Sequence, residues 1–245
     1  MTTVSNGEKK SLLVFSAHSG DFVWRAGGAI ATAAEQGHDA KIICLSFGER
    51  GESQGLWNNP GMDLDTVKKV RRQEAEQAAE ALGAEITFLD LGDYPLAVDL
   101  EAFDRIVDLI REANPDVLMT HVANDPYNRD HNLAHETLLR ARMVAQAQGH
   151  KNGYPPIGAP QVLMFEPHQS EMCGFVPNLL LDITPVFERK RAAMEAMSAQ
   201  RHLIEYYTDL ALRRGVQAVR NGGSKSILQA EAHQRIFPIV ATAVL

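Results

Sequence analysis

Short apolar runs at Leu12 to Phe15, Ala40 to Phe47, Glu85 to Leu91, Asp116 to Val122 and Gln161 to Glu166 alternate with stretches of helical length. This alternation constrains the fold more than any other feature. Strands that take turns with helices imply parallel βαβ units, with helices covering both faces of the sheet. Helices are read over Phe22 to Gln36, Asp63 to Leu82, Glu101 to Ala113, a segment holding His131 and His135, Glu188 to Arg201 and Leu203 to Val219. Gly37 and Gly83 sit where a left-handed C-terminal cap belongs, and Asn114-Pro115 breaks another helix. Gly27 and Gly28 each cost the first helix roughly 1 kcal/mol of propensity, a cost that close approach to a strand explains. The tail from Ile227 to Leu245, with Glu231 and His233, is expected to pack on the rest. Residues 1–245 are therefore read as one α/β domain, a three-layer αβα arrangement around a mostly parallel sheet.

In such a sheet, ligands collect beyond the carboxyl ends of the strands. The first strand delivers His18 and Asp21 into the turn before a helix. The second runs into Gly48-Glu49-Arg50-Gly51-Glu52-Ser53, a glycine-flanked loop with two acids and an arginine. The fourth leads to Asn124-Asp125-Pro126-Tyr127-Asn128-Arg129-Asp130-His131, and the fifth to His168. If the strands are parallel, His18, Asp21, Glu49, Arg50, Asn128, Asp130, His131 and His168 all face one rim. Taken singly, each has a plainer role: Asp21 or Ser19 as a helix cap, Glu49 paired with Arg50, His168 as a turn residue.

Two histidines and one carboxylate are a common way to hold a catalytic Zn2+ while leaving room for water or substrate. His18, Asp21 and His131 fit that set, with Asp130 or a backbone carbonyl orienting a ligand from behind. The same donors accept Fe2+ or Mn2+. His131 and His135 share a helical face, but the sequence His131-Asn-Leu-Ala-His135 lacks the glutamate of a zincin, so at most one is a ligand. There is no GxGxxG fingerprint and no GxSxG nucleophile elbow.

Composition narrows the partners. A net charge of −7 argues against a broad nucleic-acid surface. No apolar stretch reaches the roughly 18 residues of a membrane span, and Met1 to Lys10 contains no apolar signal core. Cys44 and Cys173 are far apart and form no CxxC. A cytoplasmic protein is expected.

The strand followed by Ala17-His18-Ser19-Gly20-Asp21, with Asn128-Arg129-Asp130-His131 later, resembles the zinc-dependent PIG-L/LmbE family of N-deacetylases, from Leu12 to the Ala230-Glu231-Ala232 region. The resemblance implies a Rossmann-like αβα fold and places His18, Asp21 and His131 on the three zinc-ligand positions. The family's usual motifs are Ala-His-Pro-Asp-Asp and His-Pro-Asp-His. Gly20 therefore falls where the deacetylases carry a general-base aspartate, and Asn128 where they carry a histidine. The metal set is kept and the proton-transfer groups are changed.

The runs Ser16 to Gly28, Leu45 to Ser53 and Asp90 to Leu96 resemble the 4-oxalomesaconate hydratase branch of that family. That resemblance implies addition of water to the C=C bond of an unsaturated tricarboxylic keto acid, in the meta-cleavage breakdown of gallate and related aromatic acids. It implies an acid/base pair, for which Glu49 and His168 are the candidates, with the assignment between them open. Arg25, Arg50 and Arg129 lie in loops suited to gripping the carboxylates of a small anionic keto acid, and Asn128 joins them as a substrate contact. Two rivals are a zinc-dependent N-deacetylase of an amino sugar and a non-catalytic ligand-binding member. A homo-oligomer is expected.

Overall fold

The first apolar run becomes β1 (Ser11–Ser16), and its alternation divides the interior into two cores. In the computed structural model, which describes residues 9–151 and 153–240, Leu12 and Val14 enter one core and Leu13 and Phe15 the other. Successive residues of a strand point to opposite faces, so a strand covered on both sides must be apolar throughout. β2 (Asp39–Cys44) repeats the split with Ile42 and Ile43. β3 (Glu85–Phe88) is the short edge strand, β4 (Val117–Thr120) divides Met119 from Leu118, and β5 (Gln161–Phe165) divides Leu163 from Val162. Each fully buried side chain of this kind contributes roughly 1.5–3 kcal/mol.

The helices are α1 (Asp21–Glu35), α2 (Gln54–Trp57), α3 (Leu64–Leu82), α4 (Leu100–Ala113), α5 (Arg129–Ala145), α6 (Phe187–Ala196) and α7 (Leu203–Arg220). α1, α3, α6 and α7 cover one face of the sheet, and α4 and α5 cover the other. Local chemistry sets several of their ends. Asp63 and Asp99 cap α3 and α4 by accepting from the Thr66 and Ala102 N–H groups, each at 2.8 Å. Gly83 ends α3 at φ 79°, a conformation that costs glycine nothing.

The seven strands lie in the order β3-β2-β1-β4-β5-β7-β6. β1 to β5 pair in parallel, as read from the alternation. β6 (Leu179–Asp182), although its sequence is Leu-Leu-Leu-Asp, and β7 (Ala230–Arg235) are additions to the strands read from the alternation. β7 runs antiparallel between β5 and β6, so residues 230–235 of the tail expected to pack on the rest form an interior strand. Residues 1–8, 152 and 241–245 lie outside the described residues. The helix read over Glu188 to Arg201 stops at Ala196 and is followed by a 3-10 turn, Ser198–Gln200. No helix among the described residues is long and apolar enough to cross a membrane.

Two features aim this frame at one place. The chain order reverses between β1 and β4, which opens a crevice beyond their carboxyl ends. α1, which starts at that crevice, is tied down from below. Glu231 of β7 accepts from the N–H groups of Gly28 and Ala29 at 2.6 and 2.9 Å. Lys190 of α6 donates to Glu231 at 2.6 Å and to the Trp24 carbonyl at 3.0 Å. A Cβ on Gly28 would lie 2.5 Å from Ile183 Cγ2 and 2.8 Å from Glu231 Cδ, so close approach requires glycine there.

Candidate active site

β1 and the start of α1 form the floor. The Ala17 N–H donates to His121 Nε2 at 3.0 Å, and the His18 N–H donates to Asp21 Oδ2 at 2.8 Å. These bonds fold the turn so that His18, fully buried, faces Asp21 in the first turn of α1. The loop after β4 brings the second half. Asp125 Oδ1 accepts from the Tyr127 and Asn128 N–H groups at 2.9 and 3.2 Å, and Asn128 Oδ1 caps α5 through the Asp130 N–H at 3.1 Å. Helix geometry then turns Asp130 and His131 inward and leaves Arg129 exposed.

His18, Asp21, Glu52 and His131 meet here, each offering a ligand atom within 4.8 Å of the others. His18 Nδ1 lies 3.3 Å from Asp21 and 3.2 Å from Glu52, and His131 Nε2 lies 3.4 Å from Asp21. Their other ring nitrogens face carboxylates from behind. His18 Nε2 lies 3.3 Å from Asp130, and His131 Nδ1 lies 2.9 Å from Asp125. Such backing fixes the tautomer and aim of a metal-binding imidazole.

The electrostatics ask for a cation. Burial works against a charged His18, but Glu52, Asp130 and Asp21 outweigh it and hold the imidazole well above its usual range. Burial likewise works against an ionised Asp21, yet His131 above all holds it well below. Asp130 is drawn down to about 2 against the pull of burial, chiefly by its bond to His18 and the Tyr94 and Leu96 N–H groups. His18 Nδ1 and His131 Nε2 are buried without a hydrogen-bond partner among the described residues and sit beside two carboxylates. Unpaired buried nitrogens facing clustered acids are the donor arrangement that a divalent ion fits. His121 stacks on His131 at 4.1 Å and stays neutral, its pKa pushed down to about 3 mainly by burial. His135 turns away and binds the His121 carbonyl at 2.8 Å.

A cavity of about 240 Å³ opens over this cluster, and its walls include Arg25, Glu52, Asn128, His168 and Gln200. Arg25, Asn128 and His168 thus reach the rim that the sequence assigns them. Arg25 is 9% exposed; its Nε lies 3.7 Å from Asp21 Oδ1, and neither Nε nor Nη1 has a hydrogen-bond partner among the described residues. Burial opposes its charge, but Tyr207, Asp21 and Glu52 hold the guanidinium above its usual value. His168 stacks on Tyr206 at 4.3 Å, and burial, then Arg25, lowers its pKa.

Glu49, Arg50 and Arg129 are not brought to the cavity. The Glu49 carboxylate turns back on its own loop, accepting from the Phe47 N–H at 3.2 Å with Arg50 Nη1 at 3.5 Å and Lys68 Nζ at 3.9 Å. Arg50 donates to the Asp93 carbonyl. The acid that reaches the cluster is Glu52, three residues on. Gly48, at φ 67°, starts a turn closed by the Glu52 N–H and Ser53 hydroxyl on its carbonyl, and this points Glu52 toward His18. The sequence marks the loop, and the available signal was that Glu49 has an adjacent cation whereas Glu52 does not. Asp125 was visible as an Asx turn before a helix. Gln200 carried no signal.

A Cβ at position 20 would lie 2.5 Å from Gln200 Oε1 and 2.9 Å from Trp24 Nε1, so a side chain there requires Gln200 to shift.

A family model described as PIG-L, GlcNAc-PI de-N-acetylase, matches residues 13–142. The chain is 51% identical over 238 residues to the 4-oxalmesaconate hydratase of Pseudomonas putida, covering 96% of this chain and 92% of that protein. The crystal structure of GalB, the 4-carboxy-2-hydroxymuconate hydratase from Pseudomonas putida KT2440, superposes with a TM-score of 0.93 at 50% identity. That match covers 97% of this chain and 100% of that one. A probable N-acetyl-alpha-D-glucosaminyl L-malate deacetylase of Bacillus cereus is more distant, 27% identical over 79% of this chain and 84% of its own length. The N,N'-diacetylchitobiose deacetylase of Pyrococcus horikoshii shares the fold, with a TM-score of 0.77 at 20% identity, covering 94% of this chain and 84% of that one. The chain belongs to the PIG-L family.

Proposed function

We propose that this PIG-L family member is a metal-dependent hydratase that adds water to the C=C bond of an unsaturated keto tricarboxylic acid. We take that acid to be 4-oxalomesaconate, as in meta-cleavage degradation of gallate-type aromatic acids. The observation that carries the reading is the 51% identity to a 4-oxalmesaconate hydratase along 96% of the chain. The space beside Gly20 supports it, since Gln200 Oε1 lies where a deacetylase's aspartate would begin.

His18, Asp21 and His131 would hold the metal, for which zinc is proposed and Fe2+ or Mn2+ fits the same donors. When bound, such an ion supplies Lewis acidity for substrate oxygen. Arg25 lines the cavity with a buried guanidinium whose Nη1 has no hydrogen-bond partner among the described residues, which suits a substrate carboxylate. Glu52 is the less buried of the two cluster carboxylates, and its Oε1 accepts from Asn128 Nδ2 at 3.2 Å. It takes the proton that water gives up as the water oxygen bonds to the alkene carbon. The alkene electron pair moves toward the conjugated carbonyl, and His168, beside Tyr206 and Tyr207, returns a proton to the neighbouring carbon. Glu52 thus takes the part that the sequence offers to Glu49.

A homo-oligomer is part of this proposal, with Leu212 and Val216, 43% and 58% exposed and one turn apart on α7, offered as a contact.

The test offers purified, metal-loaded protein the unsaturated keto acid and, separately, an N-acetylglucosamine derivative. Loss of alkene absorbance without acetate release is expected. Acetate release with the alkene left intact would replace hydration by deacetylation.

A further inference from the structure

The wall of the cavity opposite in sequence to every motif holds Gln200, at the end of the 3-10 turn between α6 and α7. Its side-chain carbonyl is turned inward. Oε1 accepts from Arg71 Nη2 at 3.0 Å and from Trp24 Nε1 at 3.4 Å. Neither partner has an acceptor to offer, so a flipped amide would set N–H against N–H. The orientation of this amide is therefore fixed by chemistry.

The supports are themselves locked. Arg71 is fully buried and donates to Glu74 Oε2 at 2.7 Å and to the Phe47 carbonyl at 3.2 Å. Glu74 accepts from the Ser198 hydroxyl and, at 2.9 Å, from the Ala199 N–H, the two residues just before Gln200. A closed circuit of hydrogen bonds thus fastens the turn to α3. Gly20 clears the space in which Gln200 Oε1 sits. With Oε1 committed, Nε2 is the end left for the cavity, and it has no hydrogen-bond partner among the described residues.

We infer that Gln200 is a substrate-binding, specificity-determining residue whose amide N–H groups are held as neutral donors toward a carboxylate or carbonyl oxygen of the keto acid, with Arg71 as its positioning residue. The inference rests on the hydratase reading for the identity of that substrate. A polyanion in a site whose buried guanidinium, Arg25, is shared with Asp21 at 3.7 Å needs further donors. A second cation close to a metal centre would be repelled by it, whereas an amide supplies N–H groups without charge. Arg71 spends its charge on Glu74 and reaches the cavity only through Gln200.

The experiment uses Gln200→Glu and Gln200→Ala in the metal-loaded full chain. Glutamate keeps Oε1 for Arg71 and Trp24, so the fold is retained, but it replaces the donor with an anionic acceptor. KM for the keto acid should rise about tenfold or more, the scale of a hydrogen bond to a charged group, with kcat, metal content and Tm close to wild type. Gln200→Ala should raise KM less and in the same direction. Calorimetric binding of tricarballylate, a saturated tricarboxylate, should weaken in the same order. Wild-type KM and tricarballylate affinity in Gln200→Glu would overturn the inference, as would a fall in kcat at constant KM. A wild-type protein that leaves the alkene untouched would overturn the hydratase reading instead. Tricarballylate binding would then still decide whether Gln200 is a donor.

Discussion

Changing Glu52 to glutamine removes one negative charge from the cluster and almost nothing else. Glutamine has the same shape, and its Oε1 can still accept from Asn128 Nδ2, 3.2 Å away in the native site. His18, Asp21 and His131 keep their mutual arrangement, since Asp130 and Asp125 hold the two imidazoles from behind. The variant should therefore bind metal normally and lose its base. Loss of a positioned general base costs a factor of roughly 10² to 10⁴, equivalent to about 3–5 kcal/mol of transition-state stabilisation. Glu49 supplies the control within the same loop. Its carboxylate lies among the Phe47 N–H, Arg50 and Lys68, outside the cavity. Burial already raises its pKa, so Glu49→Gln surrenders a charge that the site tolerates poorly. Steady-state hydration of the keto acid, read as alkene absorbance, should show kcat for Glu52→Gln down by about a hundredfold or more, with Glu49→Gln close to wild type. Metal content by elemental analysis should be equal in all three proteins. A Glu49→Gln enzyme that is dead beside a competent Glu52→Gln enzyme would refute the assignment.

His18→Ala should lose bound metal and hydration together, because one of the two unpaired buried nitrogens of the cluster disappears; full activity in metal-free protein would contradict the ligand set. Arg25→Met keeps the packing stem and removes the guanidinium, so KM should rise about tenfold or more while kcat changes less; an unchanged KM would place the substrate carboxylate elsewhere. Glu231 gives a pH prediction for stability. Burial works against its charge, but Lys190 and His233 draw its pKa down to about 2 from the usual 4.5. A depressed carboxylate contributes stability that is present above about pH 4.5 and is lost as pH falls toward 2. Complete loss amounts to about 3 kcal/mol. Urea midpoints measured between these pH values should fall more steeply in wild type than in Glu231→Gln, and parallel curves would show that the pair carries no such linkage.

The parallel half of the sheet was legible because strands buried on both faces have to be apolar, and helices that cover them must alternate with them. β1, β2, β4 and β5 meet that condition almost residue by residue. β7 was hidden for the opposite reason. Its sequence, Ala-Glu-Ala-His-Gln-Arg, is polar, yet Glu231 and His233 are buried. Their burial is tolerable because Glu231 pairs with Lys190 and with two backbone N–H groups of α1, bonds that no local pattern announces. The site divides along the same line. His18, Asp21 and His131 stand next to turn and cap signals and could be placed by residue type. Choosing between Glu49 and Glu52 required the backbone of the Gly48 turn, and Gln200 required knowing that α6 stops short at Ala196.

These hidden parts bear directly on the visible ones. Asp21 and Arg25 are one turn apart on α1, so their distance from the β4 loop depends on where that helix sits. One buried ion pair fixes it, reaching from β7 and α6 to the Trp24 carbonyl and the Gly28 and Ala29 N–H groups. Trp24 also meets Gln200, and Gln200 is held through Arg71 and Glu74 to α3. The helix that carries Asp21 is thus gripped on its far side by a strand and at its start by a turn, neither of which has an apolar signature. A polar contact inside a protein is stable only when its partner is placed with it. The polar residues that resist reading from sequence are therefore the ones that hold α1, and with it Asp21 and Arg25, where the chemistry needs them.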